Sequence, residues 1–96
     1  MSYAVFAHYR CEPADAGGVR DALLKMREFT RAEPANLAYE VHAEAGREGG
    51  FVLYEVYADR AGFEAHAAAP YFDELIVRTV RPLLVERTVT FAEVVR

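Results

Sequence analysis

The sequence predicts an α+β domain built on one four-stranded antiparallel sheet. Four stretches are rich in aromatic and β-branched residues, and two stretches carry apolar residues at helical spacing. They alternate in the order β-α-β-β-α-β. Ninety-six residues, of which 53% are hydrophobic, suit a single domain over residues 1–96 with one core.

The first half of the chain contains one strand and one long helix. Residues 3–10 (YAVFAHYR) alternate at period two and predict the first strand. Asp15 is the expected N-cap of a helix over residues 16–32, which should end before Pro34 because a residue preceding proline disfavours helix. Its apolar stripe consists of Val19, Ala22, Leu23, Met26 and Phe29.

The second half contains a hairpin, a broken helix and a last strand. Residues 36–44 and 51–58 predict two strands joined through a glycine-rich turn. Asp59 is the expected cap of a short helix over residues 60–68, Pro70 suits the first turn of the next helix, and Pro82 marks its end. Residues 87–95 predict the last strand. Short, right-handed connections favour both helices on one face of the sheet, which is the ferredoxin-like arrangement.

The strands carry aromatic residues on both faces of the predicted sheet. Phe6 alternates with Tyr9 on the first strand, and Tyr54 alternates with Tyr57 on the third. Two helices cover only one face, so the other face would expose an apolar surface. A homodimer in which sheet packs against sheet is the simplest way to cover it.

Composition excludes several kinds of partner. A net charge of −4, a pI near 5.3 and the lack of a large basic cluster argue against nucleic acid and anionic membranes. Cys11 is the single cysteine, which excludes an internal disulfide and fits a reducing compartment. The first residues lack the pattern of a signal peptide, and no apolar run approaches the roughly 20 residues of a membrane span. We therefore expect a cytoplasmic protein.

Strong catalytic signatures are absent from the sequence. There is no GxGxxG, Walker loop, GxSxG, HExxH or CxxC pattern. His8, His42 and His66 lack the spacing of metal ligands, so we expect no metal site.

His66 lies in the stretch FEAHAAAPYFDEL, on the predicted inward stripe of the short helix with Phe63. Two interpretations stay open for it. It is either a histidine at the edge of the core, bonded to a backbone carbonyl, or an imidazole that faces a pocket as general base or donor. The alanines at positions 65 and 67–69 favour the pocket, because they leave space around the ring.

Glu55 lies in an otherwise apolar strand. Such a carboxylate is either paired with a cation, for which Arg10, Arg78 and Arg81 are candidates, or has a raised pKa that suits acid–base chemistry. His8 and Arg10 share one face of the first strand. Tyr71 could bring a phenol to a pocket mouth, whereas Phe72 is expected in the core.

Two segments, EPANLAYEVHAE at residues 33–44 and FVLYEVYADRAGFEAHAAAPYFDEL at residues 51–75, resemble the antibiotic biosynthesis monooxygenase domain of the dimeric α+β barrel superfamily. The resemblance covers essentially the whole chain. It implies a homodimer with a pocket between sheet and helices in each subunit. It also implies cofactor-independent oxidation of phenols, anthrones or quinols, in which a deprotonated substrate reduces O₂ directly.

The resemblance also implies roles for single residues. His66 occupies the recurrent histidine of the family, Glu55 keeps its glutamate, and Tyr57 stands where a tryptophan is frequent. The expected catalytic residues are His66, Glu55 and Tyr71. The expected substrate-binding residues are His8, Arg10, Tyr57, Phe63 and Phe72.

The chain departs from its relatives at two positions. Tyr71 stands where many relatives have a second histidine, and Ile76 stands where haem-degrading relatives have an axial histidine, which argues against haem chemistry. An isomerase or lyase that acts by enolisation on a small polar substrate, and a non-catalytic ligand-binding module, remain alternatives.

Overall fold

A computed structural model describes residues 1–95 and confirms the predicted fold class. The strands β1 (Tyr3–Cys11), β2 (Asn36–Ala43), β3 (Gly50–Tyr57) and β4 (Leu84–Glu93) form one antiparallel sheet in the order β2-β3-β1-β4. This is the ferredoxin-like order, in which the first and third strands along the chain lie at the centre of the sheet.

Three helical segments connect the strands. α1 spans Ala16–Arg31, after a 3₁₀ turn at Pro13–Asp15, and α2 spans Arg60–Ala67. α3 (Pro70–Phe72) continues as a π-helix over Asp73–Val80 and a 3₁₀ turn over Arg81–Leu83. We call residues 70–83 together the C-terminal helix. Among residues 1–95, no helix has the length and apolar character needed to cross a membrane.

The helix break predicted within FEAHAAAPYFDEL is confirmed, and so is one of the two predicted caps. The Asp59 carboxylate accepts a hydrogen bond of 2.8 Å from the backbone N–H of Gly62. Asp15 was expected to cap α1, but its side chain accepts no capping bond. Its backbone is helical (φ −94°, ψ −6°) because it belongs to the preceding 3₁₀ turn, whereas a capping residue needs extended geometry.

The last strand starts earlier than predicted, at Leu84 rather than residue 87. Pro82 lies inside the terminal 3₁₀ turn, which ends at Leu83. The chain then enters the sheet at once, because Leu84 pairs with Cys11 beyond a register shift in β1.

The core lies between the helices and one face of the sheet, which we call the inner face. Strand residues such as Leu53 and Tyr39 pack there in one cluster with α1 and C-terminal helix residues such as Leu23 and Val80. Within residues 1–95, no helix packs on the opposite face of the sheet, which we call the outer face. Phe6 is 39% exposed there and its ring lies 5.4 Å from that of Tyr54, as the alternation of aromatics predicted.

Candidate functional site

His66 lies between two carboxylates that come from different parts of the chain. Its Nδ1 is 3.0 Å from Oε2 of Glu33, and its Nε2 is 3.6 Å from Oε1 of Glu55. Glu33 follows α1, His66 belongs to α2 and Glu55 belongs to β3. The ring is 2% exposed. Of the two interpretations of His66, the core-edge histidine with a carbonyl partner is therefore wrong, since its partners are side-chain carboxylates.

A close approach of α2 to the loop after α1 produces this arrangement. Gly62 packs so tightly against Ala35 that an added Cβ atom would lie 2.6 Å from the Ala35 Cβ. One turn further along the same face of α2, His66 reaches Glu33. A glycine at position 62 is therefore needed for the contact between His66 and Glu33.

Two tyrosines extend this arrangement at both ends. The Tyr57 hydroxyl donates a bond of 2.7 Å to Oε1 of Glu55, and the Tyr71 hydroxyl donates to Oε2 of Glu33. Tyr71, Glu33, His66, Glu55 and Tyr57 thus form a continuous row of side chains, which we call the carboxylate–histidine row.

Aromatic rings surround His66. The ring centroids of Tyr57, Phe72, Phe63 and Tyr39 lie 5.1, 5.3, 6.0 and 6.2 Å from that of the imidazole. The expectation that neighbouring alanines leave space around the ring is largely wrong, because these aromatic rings fill it. Of the four alanines, Ala65 lines a cavity beside His66.

Burial sets the protonation of the two central groups. It raises the pKa of Glu55 to about 7, against the hydrogen bond from Tyr57, and the charge of Glu33 adds to the rise. Burial lowers the pKa of His66, against the hydrogen bond and charge of Glu33. Both shifts favour the uncharged form of each group.

The tyrosines of the row serve as donors rather than bases. Burial, together with the bond to Glu33, raises the pKa of Tyr71 to about 12. Burial and the neighbouring Glu55 also raise the pKa of Tyr57. Each phenol keeps its proton at neutral pH and can hold a carboxylate in place.

Glu55 opens onto a narrow space of about 50 Å³ between the sheet and the C-terminal helix, which we call the inner cleft. Three further polar side chains line it, namely Tyr9, Arg81 and Arg87. Phe63 and Phe91 pack against each other at 5.1 Å, and Phe91 is half exposed. The apolar lining consists of Val5, Ala7, Phe63, Phe72, Val89 and Phe91.

The inner cleft also carries positive charge. Arg81 is half buried with its guanidinium 5.6 Å from the Phe72 ring centroid, and Arg87 is at the exposed end. Burial and the charge of Glu55 raise the pKa of Tyr9, and the positive charges of Arg81 and Arg87 lower it in part. The wide turns of the π-helix precede Arg81, whose N–H bonds to the carbonyl of Ile76. Such π segments are rare and occur frequently at functional sites.

His66 faces a second space, on the other side of the imidazole. This outer cavity has a volume of about 260 Å³ and is lined by Glu33, Pro34, Ala35, Gly62, Ala65, His66 and Tyr71. A larger cavity of about 550 Å³ lies near the hairpin turn and the start of α1, but the charged residues Arg20, Arg47 and Glu48 at its rim are exposed. Buried titratable groups mark the row, rather than that larger cavity, as the candidate site.

The structure brings together six of the eight residues selected from the sequence: His66, Glu55, Tyr71, Tyr57, Phe63 and Phe72. His8 and Arg10 are not among them. Both lie on the outer face, since side chains of β1 alternate and Tyr9 is the one that points to the helices. Placing His8 and Arg10 in a pocket with His66 is therefore wrong within one chain.

The predicted ion pair between Glu55 and Arg10, Arg78 or Arg81 is also wrong. Arg10 pairs with Glu86 at 2.7 Å and Arg78 with Asp73 at 2.8 Å. Arg81 shares the inner cleft with Glu55 without an ion pair to it among the described residues. Glu55 has the raised pKa of the alternative interpretation.

Sequence reasoning missed Glu33, Tyr9 and Arg87. Glu33 stands directly before Pro34, in the segment 33–44. Its position after the end of the predicted helix was the one sequence feature that could have marked it as a candidate. Its partner His66 is 33 positions away, so only the fold reveals the contact. In residues 1–95 no group of three or more His, Cys, Asp and Glu side chains is placed to hold a metal ion.

Comparison with known proteins identifies the family and supports the fold. The family model described as antibiotic biosynthesis monooxygenase matches residues 2–78. The structure of Rv0793 from Mycobacterium tuberculosis superposes with a TM-score of 0.92 at 27% identity, covering 100% of this chain and 97% of that one. A structure described as an antibiotic biosynthesis monooxygenase has a TM-score of 0.90 at 28% identity and covers 98% and 99% of the two chains.

A Synechocystis protein described as uncharacterized is 29% identical over 52 residues, which is 54% of this chain. The matched segment makes up 35% of that protein, so this chain corresponds to about a third of the relative's length.

Proposed function

Because the chain belongs to the antibiotic biosynthesis monooxygenase family, we propose that it is a cofactor-independent monooxygenase that oxidises a small phenol, quinol or polyketide-like aromatic with O₂. One observation carries this proposal. Glu55, with a pKa raised to about 7, lies at the wall of an apolar cleft that also holds Tyr9, Arg81 and Arg87. A base near neutrality beside cationic donors suits the formation of a substrate anion.

Glu55 is the group that removes the substrate proton. It is the carboxylate of the row that lines the inner cleft, whereas His66 lines the outer cavity behind it. From the sequence, His66 was expected to act as general base or donor, with Glu55 in the same catalytic set. The geometry favours Glu55 as the base. Tyr57 holds the Glu55 carboxylate from the side.

Arg81, Arg87 and the Tyr9 hydroxyl stabilise the anion. Donors and positive charges in a site with little water lower the energy of a phenolate or enolate more than they would in solution. The electron-rich anion then reduces O₂ and forms a carbon–oxygen bond. Loss of the second oxygen as water, with two hydrogens from the substrate (both from the ring CH₂ of an anthrone, or one from the ring C–H and one from the hydroxyl of a phenol), converts the oxygenated carbon into C=O. Substrate plus O₂ thus gives quinone plus H₂O.

Entry of a substrate requires movement at the mouth of the inner cleft. Its volume of about 50 Å³ is below the several hundred Å³ of ordinary ligand pockets. Phe63 and Phe91 form an aromatic cluster with Tyr3 at centroid distances of 5.1–5.8 Å. Separation of these rings opens the cleft to a flat aromatic molecule.

The assembly that we propose is a homodimer through the outer face. Phe6 and Tyr54 are partly exposed on that face, beside Val52. A second copy of the same patch is self-complementary under twofold symmetry. Sheet-to-sheet packing would bury the patch and leave the inner cleft of each subunit open on the opposite side of the sheet.

Two other functions have a specific observation in their favour. The pairing of Glu55 with His66 could also perform enolisation, as in an isomerase or lyase acting on a small polar substrate. The narrowness of the inner cleft favours a non-catalytic ligand-binding or dimerisation module, for which a tightly packed cleft is expected.

Oxygen uptake separates the three functions. Chelator-treated protein is incubated with a panel of hydroquinones and anthrones, with and without air. The monooxygenase consumes O₂ and releases quinone in step with it. Product formation without O₂ would instead identify an isomerase or lyase, and binding without turnover of any compound would identify the binding module.

A further inference from the structure

Glu33 has no role in the proposed oxidation so far, yet it is the best-connected carboxylate of the site. Its Oε2 accepts from both His66 Nδ1 and Tyr71. No donor within residues 1–95 reaches its Oε1, although that atom is buried. A carboxylate held by two partners from α2 and the C-terminal helix is fixed in position, and it lines the outer cavity.

We propose that Glu33 and His66 form a proton relay, which connects Glu55 in the inner cleft with the outer cavity. The imidazole is the link, since it is buried between the two carboxylates with one ring nitrogen toward each. Glu33, which lines the outer cavity, is the far end of the relay. The statement that the proton comes from a substrate rests on the proposed function. The contacts of Glu33, His66 and Glu55 support the relay independently.

Glu33 determines which tautomer His66 adopts. Oε2 of Glu33 already accepts from Tyr71 and lies 3.0 Å from Nδ1, so we place the ring proton on Nδ1, which donates it to this oxygen. Nε2 of the neutral ring is then bare and faces Glu55. The distance of 3.6 Å from Nε2 to Oε1 exceeds a hydrogen bond by about 0.6 Å, which a small side-chain movement closes.

Each transfer in the relay conserves protons. Glu55 takes a proton from the substrate and passes it to Nε2 of His66. In the same step the Nδ1 proton of His66 moves to Glu33. Later, cleavage of the O–O bond produces a hydroxide that needs a proton to leave as water. Reversal of the two transfers supplies this proton and restores the original tautomer.

The remaining groups around the imidazole do not compete for the proton. Tyr57, Tyr71 and Tyr39 are the other titratable side chains in the vicinity, and burial raises the pKa of each of them. They stay protonated at neutral pH and act as donors only.

Nitrogen-15 NMR of the histidine rings tests the tautomer without any substrate. In the wild-type protein we expect Nδ1–H and a bare Nε2 for His66, with the exposed His8 and His42 as internal references. In Glu33→Ala the proton should move to Nε2, where it can be donated to Glu55. Glu64→Ala, at an exposed position of α2, is the matched control and should keep the wild-type tautomer.

Two spectra would overturn the relay: an Nε2–H tautomer in the wild type, or an unchanged Nδ1–H tautomer in folded Glu33→Ala. If Glu33→Ala folds poorly, the wild-type spectrum alone decides.

Turnover provides a second readout. Glu33→Ala should lower kcat by about tenfold or more with little change in KM, because the substrate is bound elsewhere. Formate, a small carboxylate that fits the outer cavity, should restore much of the rate in this variant and have no effect on Glu64→Ala. Equal turnover of Glu33→Ala and wild type, or no response to formate, would contradict the relay. Wild-type protein that consumes no O₂ would overturn the proposed oxidation, and the tautomer would then decide the inference about Glu33.

Discussion

The hydroxyl of Tyr57 donates a 2.7 Å hydrogen bond to Glu55, two residues earlier on the same face of β3. The period of a strand produces this pairing, because residues i and i+2 point in the same direction. The bond favours the ionised carboxylate and opposes the effect of burial. Tyr57 thereby helps to keep the pKa of Glu55 near neutrality.

Removal of this bond should make Glu55 a poorer base at neutral pH. In Tyr57→Phe the pKa of Glu55 rises above its value of about 7, so the acid limb of the kcat/KM profile moves to higher pH. Tyr54→Phe changes the same residue type on the outer face of the same strand and serves as the control. Identical profiles for wild type and Tyr57→Phe would contradict the role of the bond.

Glu55 should also make the stability of the protein depend on pH. Its pKa is 4.5 ordinarily and about 7 when folded, so between these values the folded state binds more protons than the unfolded state. Stability therefore falls as pH rises from about 4.5 to 7, by an amount on the order of 3 kcal/mol.

Urea denaturation of wild type and Glu55→Gln across pH 4–8 measures this effect. The advantage of Glu55→Gln over wild type should grow as pH rises to about 7 and then stay constant. The lowered pKa of His66 acts in the opposite direction, but it is present in both proteins and largely cancels in the difference. A difference that does not change with pH would show that Glu55 is ionised in the folded protein as readily as in the unfolded one.

His66→Ala should reduce turnover strongly while the protein stays folded. General acid–base groups contribute about 10²–10⁴ in rate, and the loss of His66 separates Glu55 from Glu33. His42→Ala removes an exposed histidine and is the control. Undiminished kcat/KM in His66→Ala, with a fold confirmed by circular dichroism, would exclude a chemical role for this imidazole.

The proposed dimer depends on the outer face. An aspartate at position 6 or 54 would bury a charge without a partner in a sheet-to-sheet interface, so Phe6→Asp and Tyr54→Asp should be monomeric in light scattering. Leu37→Asp alters a residue that is 60% exposed on the edge strand β2 and should remain dimeric. A monomeric wild type, or dimeric Phe6→Asp and Tyr54→Asp, would contradict this interface.

Local patterns in the sequence were sufficient to predict the fold. Alternation and helical spacing predict all four strands, α1 and the break before Pro70. The predicted first and last residues of these elements differ from the observed ones by a few positions, where a turn determines the end of an element. The helical stripe that contains Phe63 also predicts that His66 points inward. These features depend on neighbours within a few positions along the chain.

The sequence predicted the site less completely, because its contacts join distant segments. Glu33 meets His66 and Tyr71 only after α1, α2 and the C-terminal helix have packed together. Both faces of β1 are partly apolar, so alternation could not decide whether His8 or Tyr9 faces the helices. That choice depends on which face the helices cover.

The protonation of Glu55 is the most direct test of the account, because a base near neutrality in the inner cleft is its central claim. Carbon-13 NMR of the side-chain carboxyl groups, with Glu55→Gln to assign the signal, gives the titration midpoint. We expect a midpoint of about 7 for Glu55. A midpoint near 4.5 would contradict the claim, since Glu55 would then be an ordinary ionised carboxylate.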